Sequence, residues 1–322
     1  MTSFLLVLLG IILLLIGGAS LVRGATGIAQ SFNVPNIVIG LTVVAFGTSA
    51  PELVINVTGA LQGKTDLAFG NAVGSNLANF GLVLGIAAIM SPIYLQGQVI
   101  RREVPFLLLI TAILLVMVWD APLSGTQALL DRGDAIILFL LFTVFVYFMV
   151  RDFISAEGDP LLVEGDNLSS KASGNGLVNS ALLLIGLVLL VVGGEMTIDN
   201  GVAIAKIMGV SEVVIGMFVL AVGTSLPELV TSGIAAYKKE TDLALGNIVG
   251  SNIFNSLVVL PAAAIIRPLP IPEGGDWDLA VGGAFVLVII PLFLFSNARL
   301  GRLAGIGLIT SYFLYLYIRF NF

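Results

Sequence analysis

The sequence predicts an all-α polytopic membrane protein, with ten transmembrane helices in two inverted five-helix repeats and helices 2 and 7 broken. Three observations predict it. The 322 residues are 58% hydrophobic and 11% charged, with a mean hydropathy of +1.09, whereas soluble domains carry about 25% charged residues. Apolar stretches of the length that crosses a bilayer, about 20 helical residues, recur along the whole chain. The chain also repeats itself: Gly-Thr-Ser-Ala-Pro-Glu at 47–52 returns as Gly-Thr-Ser-Leu-Pro-Glu at 223–228.

Charges punctuate the chain into spans near 4–22, 36–62, 67–90, 103–119, 133–150, 177–199, 213–237, 243–266, 279–296 and 302–320. The first has no basic residue before it and is too long for a signal-peptide core, so it reads as a retained span. The second and seventh contain Pro51 and Pro227. Proline lacks the N–H and disfavours helix at the residue before it, which predicts a break. Gly47 and Gly223 ease unwinding there. Carbonyls over 45–48 and 221–224 are then expected to be freed, which a membrane interior tolerates only where they line a cavity or bind something.

The third and eighth spans carry the other repeated segment: residues 65–76 return at 241–252 with ten of twelve positions identical. Their Gly70-x-x-x-Gly74 and Gly246-x-x-x-Gly250 spacings predict close backbone approach. Five spans per half force the second copy to enter from the opposite side. The expected division is 1–150 as the first five-helix repeat (repeated segment 40–85), 151–176 as a linker, and 177–322 as the second repeat (repeated segment 216–261). Inverted repeats of this kind hold their site near the midplane, at the repeat interface.

With the N-terminus outside, nine Lys and Arg fall on cytoplasmic loops and five on outer ones. The positive-inside rule therefore predicts both termini outside, the acidic 151–176 loop in the cytoplasm, and a multi-pass protein of the cell membrane. The chain has no cysteine and no histidine, and its net charge is −6. These exclude disulfides, zinc chemistry of the usual kind and a nucleic-acid partner. Residues 58–65 resemble a Walker A loop but begin with Thr58 in place of the required glycine, so no nucleotide is expected. Intramembrane proteolysis lacks its motifs: there is no His-Glu-x-x-His, and Arg132-Gly133-Asp134 is not Gly-x-Gly-Asp. No enzyme and no cofactor are expected, and the expected partners are ions and the lipid bilayer. Glu195 and Asp199 read as an interfacial helix end.

The candidate site comes from depth. Ser49, Ser225, Asn79 and Asn255 each fall beside the centre of their spans, level with Glu52 and Glu228. An intramembrane charge costs about 2.5–3.5 kcal/mol on insertion scales and is a functional-site hypothesis by default. Ser75 and Asn79 share a helix face, as do Ser251 and Asn255; Asn71 and Asn247 extend each stripe. Two carboxylates, hydroxyls, amides and carbonyls form an all-oxygen set that suits Ca²⁺ or Na⁺. Two glutamates neutralise one divalent cation. Without it they repel, so protons or other cations must replace it before an empty carrier crosses, and exchange follows.

At these residues the chain resembles the sodium/calcium exchangers of the calcium/cation antiporter superfamily, of the prokaryotic type without a regulatory domain. The likeness is carried by the two Gly-Thr-Ser-x-Pro-Glu segments and by the Gly-Asn and Gly-Ser-Asn segments after them. It implies an electrogenic antiporter exchanging Na⁺ for Ca²⁺ by alternating access, with spans 1 and 6 sliding across the rest. A H⁺/Ca²⁺ antiporter on the same scaffold is the alternative. By resemblance, Glu52 and Glu228 hold Ca²⁺ with the Thr48 and Thr224 carbonyls. Ser49, Thr48, Ser75 and the Ala45 carbonyl form one flanking Na⁺ site, and Ser225, Thr224, Ser251 and the Ala221 carbonyl form the other. Asn79 and Asn255 sit beside the centre. Some relatives, potassium-dependent ones among them, have aspartate at the second of these positions, so Asn255 argues against potassium dependence.

Overall fold

A computed structural model describes residues 2–32, 34–94, 99–119, 128–156, 176–208, 223–295 and 299–321. Helices dominate them: α1 (Thr2–Ser31), α2 (Asn36–Thr48), α3 (Ala50–Leu61), α4 (Thr65–Met90), α5 (Val104–Val118), α6 (Arg132–Ala156), α7 (Gly176–Ile207), α8 (Leu226–Tyr237), α9 (Thr241–Ile266), α10 (Gly275–Phe295) and α11 (Arg302–Asn321). Five of these, α1, α4, α6, α7 and α9, are long and apolar enough to cross a membrane, and α2 with α3 adds a sixth candidate bent by 43°. The expected break in the second span therefore stands at Ser49. Its counterpart before Leu226 falls partly outside the described residues, as do most of the linker and Ala221.

Burial separates centre from periphery. In α4 and α9, 72% and 83% of the apolar window is buried, against 33% in α1 and 28% in α7. The exposed side of α1 carries Leu5, Leu8, Ile12, Leu15 and Ile16. Apolar residues left facing outward on a helix fit a lipid environment.

Two long helices, α1 and α7, pack antiparallel through glycines spaced by seven. A Cβ at Gly10 would meet the Gly193 carbonyl at 2.9 Å, one at Gly17 the Leu190 nitrogen at 2.9 Å, and one at Gly24 the Asn179 carbonyl at 2.6 Å. The composition of span 1 is thus explained by backbone contact with span 6. Gly246 and Gly250 behave as expected: Cβ atoms there would lie 2.6 Å from the Ile37 carbonyl and 2.5 Å from the Leu41 carbonyl of α2. The equivalent neighbours of Gly70 and Gly74, residues 213–217, lie outside the described residues.

The ends of the helices are tied across the sequence in reciprocal fashion. Short antiparallel strands β1 (Ile93–Tyr94) and β2 (Leu129–Leu130) pair with β4 (Arg299–Leu300) and β3 (Leu269–Pro270) respectively. Arg132, opening α6, donates to the Ile265 carbonyl at 3.0 Å, and Arg302, opening α11, donates to the Ile89 carbonyl at 3.2 Å. Ile89 and Ile265 occupy equivalent places in the last turns of α4 and α9, where free carbonyls favour a cationic partner. Asp131 caps α6 by accepting from the Gly133 and Asp134 nitrogens at 2.6 and 3.0 Å. The Walker-like segment forms the tight turn between α3 and α4, with Gly63 at φ +76°.

Candidate metal-ion site

The breaks set the two carboxylates. Ser49 leaves the helix at φ −87°, ψ 10°, and α3 restarts at Ala50 with Pro51 and Glu52 in its first turn. Ser225 adopts nearly the same angles, φ −85°, ψ 9°, before Leu226, Pro227 and Glu228. Proline suits a helix start because the N–H it lacks would have no partner there. The first turn also offers unpaired N–H groups and the positive end of the helix dipole. Each proline thus begins a helix that holds a carboxylate at its electropositive end.

This modifies the expected account of freed carbonyls. The Ala45 carbonyl keeps its helical partner, the Ser49 nitrogen, at 3.0 Å. Its second lone pair faces the Thr48 hydroxyl at 3.3 Å and the Ser251 hydroxyl at 3.5 Å. Gly47 is likewise helical. Its lack of a side chain makes room for Leu187 of α7, whose Cδ2 would lie 2.4 Å from a Cβ.

Around the breaks, hydrogen bonds run between the halves. Ser49 Oγ donates to Glu228 Oε1 at 2.7 Å, and Ser251 Oγ reaches the same oxygen at 3.4 Å. Ser75 Oγ lies 3.4 Å from Glu52 Oε1 and 3.2 Å from Thr224 Oγ1. Thr48 Oγ1 lies 3.1 Å from Asn247 Oδ1. The family resemblance implies a grouping of Ser75 with Ala45 and Thr48, and of Ser251 with Thr224; the hydrogen bonds instead join Ser75 to Thr224 and Ser251 to the Ala45 carbonyl. The reason is placement: α4 and α9 are the central helices, so each serine reaches the break of the opposite half.

Every described member of the predicted set is buried. Glu52, Glu228, Ser49, Ser75, Ser251 and Asn255 are fully enclosed, and Thr48, Thr224, Ser225 and Asn79 nearly so. Among the described residues, one carboxylate oxygen of each glutamate, the Ser225 hydroxyl, Asn79 Oδ1 and both amide atoms of Asn255 have no hydrogen-bond partner. An unsatisfied buried polar atom costs about 1–3 kcal/mol, and a charged one more. A cluster of bare hard oxygens at one level is chemically suited to a hard cation. Glu195 and Asp199, by contrast, are exposed on α7.

Sequence reasoning left out the amides that brace this cluster. Asn79 Nδ2 donates to Asn252 Oδ1 at 3.1 Å, which leaves Asn79 Oδ1 as its unpartnered end. Asn252 Nδ2 reaches the Asn76 carbonyl at 3.4 Å, and Asn76 Nδ2 donates to Ser256 Oγ at 2.9 Å. Asn76 and Asn252 were visible in both repeated segments, one position after the serines. That offset puts them on another helix face, where α4 and α9 meet. Five-residue π-helical stretches start at Asn79 and Asn255; such bulges recur at functional sites. No local pattern announces them.

Comparison with known proteins bears on the family and the fold. The family described as "Sodium/calcium exchanger protein" matches residues 2–151 and 178–321. The inner membrane protein YrbG of Escherichia coli (strain K12) is 33% identical over 97% of this chain and 94% of its own. The sodium/calcium exchanger MaX1 of Methanosarcina acetivorans is 28% identical over 99% of this chain and 98% of its own. Among solved structures, the sodium-calcium exchanger NCX_Mj soaked with 2.5 mM Na⁺ and 0.1 mM Ca²⁺ superposes with a TM-score of 0.83. It is 32% identical, with 98% of each chain covered.

Proposed function

Because this chain belongs to the sodium/calcium exchanger family, a family of membrane transporters, we propose that it exchanges Na⁺ for Ca²⁺ by alternating access and moves net charge in each cycle. The observation that carries the reading is that Glu52 and Glu228 are bordered by hydrogen bonds between the halves. Both are fully buried, both sit at helix N-termini, and each keeps one oxygen without a partner among the described residues. Two carboxylates neutralise one Ca²⁺, with the Thr48 and Thr224 carbonyls and Asn79 and Asn255 around it. Na⁺ binds in the flanks: Thr48, Ser49, Ser251 and the Ala45 carbonyl on one side, Thr224, Ser225, Ser75 and the Ala221 carbonyl on the other. Removing the divalent ion leaves two desolvated anions, and their repulsion makes an empty crossing costly, so replacement by other cations is obligatory.

The scaffold for this cycle is ten spans in two inverted repeats, 1–150 and 177–322, with both termini outside the cell membrane. The reciprocal ties of strands and arginines between the halves support it. The glycine-lined α1–α7 pair, peripheral and mostly apolar, is the moving element. A second reading, H⁺/Ca²⁺ exchange, is favoured by one fact: the titratable groups of this site are the two glutamates themselves. The test is Ca²⁺ uptake into proteoliposomes under an imposed Na⁺ gradient with pH clamped on both sides. Uptake that follows the Na⁺ gradient supports the first reading; uptake that follows only a pH gradient replaces it with the second.

A further inference from the structure

One helical turn from Glu52, toward the 62–64 turn, the two halves stop matching. Helices α3 and α4 form an antiparallel hairpin in which Ser75 meets Glu52 at 3.4 Å. Further along, a Cβ on Gly59 would sit 3.9 Å from the Ala68 Cβ. Those two contacts fix the register. It sets Asn56, four residues after Glu52, opposite Asn71, four residues before Ser75. Both asparagines are fully buried, and none of their four amide heteroatoms has a hydrogen-bond partner among the described residues. In the α8–α9 hairpin the same register pairs Ser232 with Asn247, and there the contact is closed. Asn247 Nδ2 donates to Ser232 Oγ at 2.9 Å, and Asn247 Oδ1 accepts from Thr48 at 3.1 Å.

We propose that Asn56 and Asn71 form a second, transit site for a monovalent hard cation of Na⁺ size, partly stripped of water, on the path between Glu52 and the 62–64 turn. The inference rests on the exchange reading above and adds a site to it. Two amide oxygens are hard, neutral donors and match a single positive charge better than a double one. The unpartnered oxygen of Glu52 supplies a negative field one turn away, about 5–6 Å along the helix face. A transit site must attract an ion without holding it, since passage needs binding strong enough for entry and weak enough for exit. Neutral amides beside a carboxylate meet that requirement. The other hairpin cannot offer the same site, because Ser232 and Thr48 occupy its amide.

The experiment compares Asn56→Leu and Asn71→Leu, which keep the branching at Cγ and remove the ligating oxygens, with the parent protein and with Glu228→Gln in the same proteoliposomes. Na⁺-driven Ca²⁺ uptake at low Na⁺ is expected to fall at least tenfold in each asparagine variant and to recover in part at saturating Na⁺. Equilibrium Ca²⁺ binding to the detergent-solubilised protein is expected to stay within twofold. Unchanged uptake in both variants overturns the proposal, as does a parallel tenfold loss of Ca²⁺ binding, which assigns the pair a structural role. Where a leucine variant yields no folded protein, Asn56→Ser, which copies the closed hairpin, gives the same reading, and normal uptake in it is equally fatal. Uptake lost in Glu228→Gln but intact in the asparagine variants defeats the transit site alone. A parent protein that takes up no Ca²⁺ against a Na⁺ gradient defeats the exchange reading itself.

Discussion

Glu52 and Glu228 follow the same tripeptide, Ser-x-Pro, and occupy the same position in the first turn of a helix, yet their surroundings differ. Glu228 accepts from Ser49 at 2.7 Å, and its hairpin is bonded shut through Ser232, Asn247 and Thr48. Glu52 has a long contact to Ser75 at 3.4 Å, and its hairpin carries two asparagines without partners. Sequence identity at the carboxylates therefore does not make the halves equivalent. What separates them lies in neighbouring positions, above all Asn56 against Ser232. Near-symmetry gives both acids the same place in a helix's first turn, and local asymmetry leaves one flank hydrogen-bonded and the other with buried amides unpaired among the described residues.

The largest expected effect tests the feature both halves share. Glu52→Gln and Glu228→Gln are each expected to lower Na⁺-driven Ca²⁺ uptake by at least a hundredfold, because one remaining carboxylate leaves a divalent ion half neutralised. If only one variant loses transport, the pair does not act as a unit. Next in size is a packing test. Gly246→Ala would drive a Cβ to 2.6 Å from the Ile37 carbonyl, and overpacking of this kind costs about 1–3 kcal/mol. A fall of several degrees in the thermal midpoint in detergent is expected; an unchanged midpoint would mean that α2 yields at this contact.

A sharper comparison uses the serines. Ser49→Ala removes a hydrogen bond to a carboxylate, and such bonds contribute about 1.5–3 kcal/mol, so apparent Na⁺ affinity should weaken about tenfold. Ser225→Ala removes a proposed Na⁺ ligand but, among the described residues, no hydrogen bond to a carboxylate, so it should weaken that affinity less than Ser49→Ala does. Equal effects would restore functional symmetry to the halves. Asn255→Asp is expected to change the order of preference among Na⁺, K⁺ and Ca²⁺ with little change in stability, and an unaltered ion profile would remove Asn255 from the ligand set. The smallest effect is at Glu195→Gln on the exposed face of α7, where uptake should stay within twofold.

Much of this was legible in the residues. Pro51 and Pro227 announced the breaks, because a missing N–H and a ring clash act locally whatever the rest of the chain does. Spacing by four placed Ser75 with Asn79 and Ser251 with Asn255, since helical periodicity is also local. Other features had no local signature. Nothing local makes Ser75 meet Thr224 rather than Thr48; that choice depends on how α4 and α9 cross. The bracing role of Asn252 was hidden for the same cause, as it faces the other half. The role of Gly10, Gly17 and Gly24 depends on α7 lying against them.

What the amino acids alone determined was a bilayer-embedded chain with two carboxylates at matched depth, because hydrophobic length and helical geometry are properties of short segments. What only the tertiary structure decided was which oxygen faces which: Ser49 on Glu228, Ser251 on the Ala45 carbonyl, and Asn56 and Asn71 left open. Those contacts join segments about 15 to more than 200 residues apart, and a hydrogen bond exists only where packing brings donor and acceptor within about 3 Å.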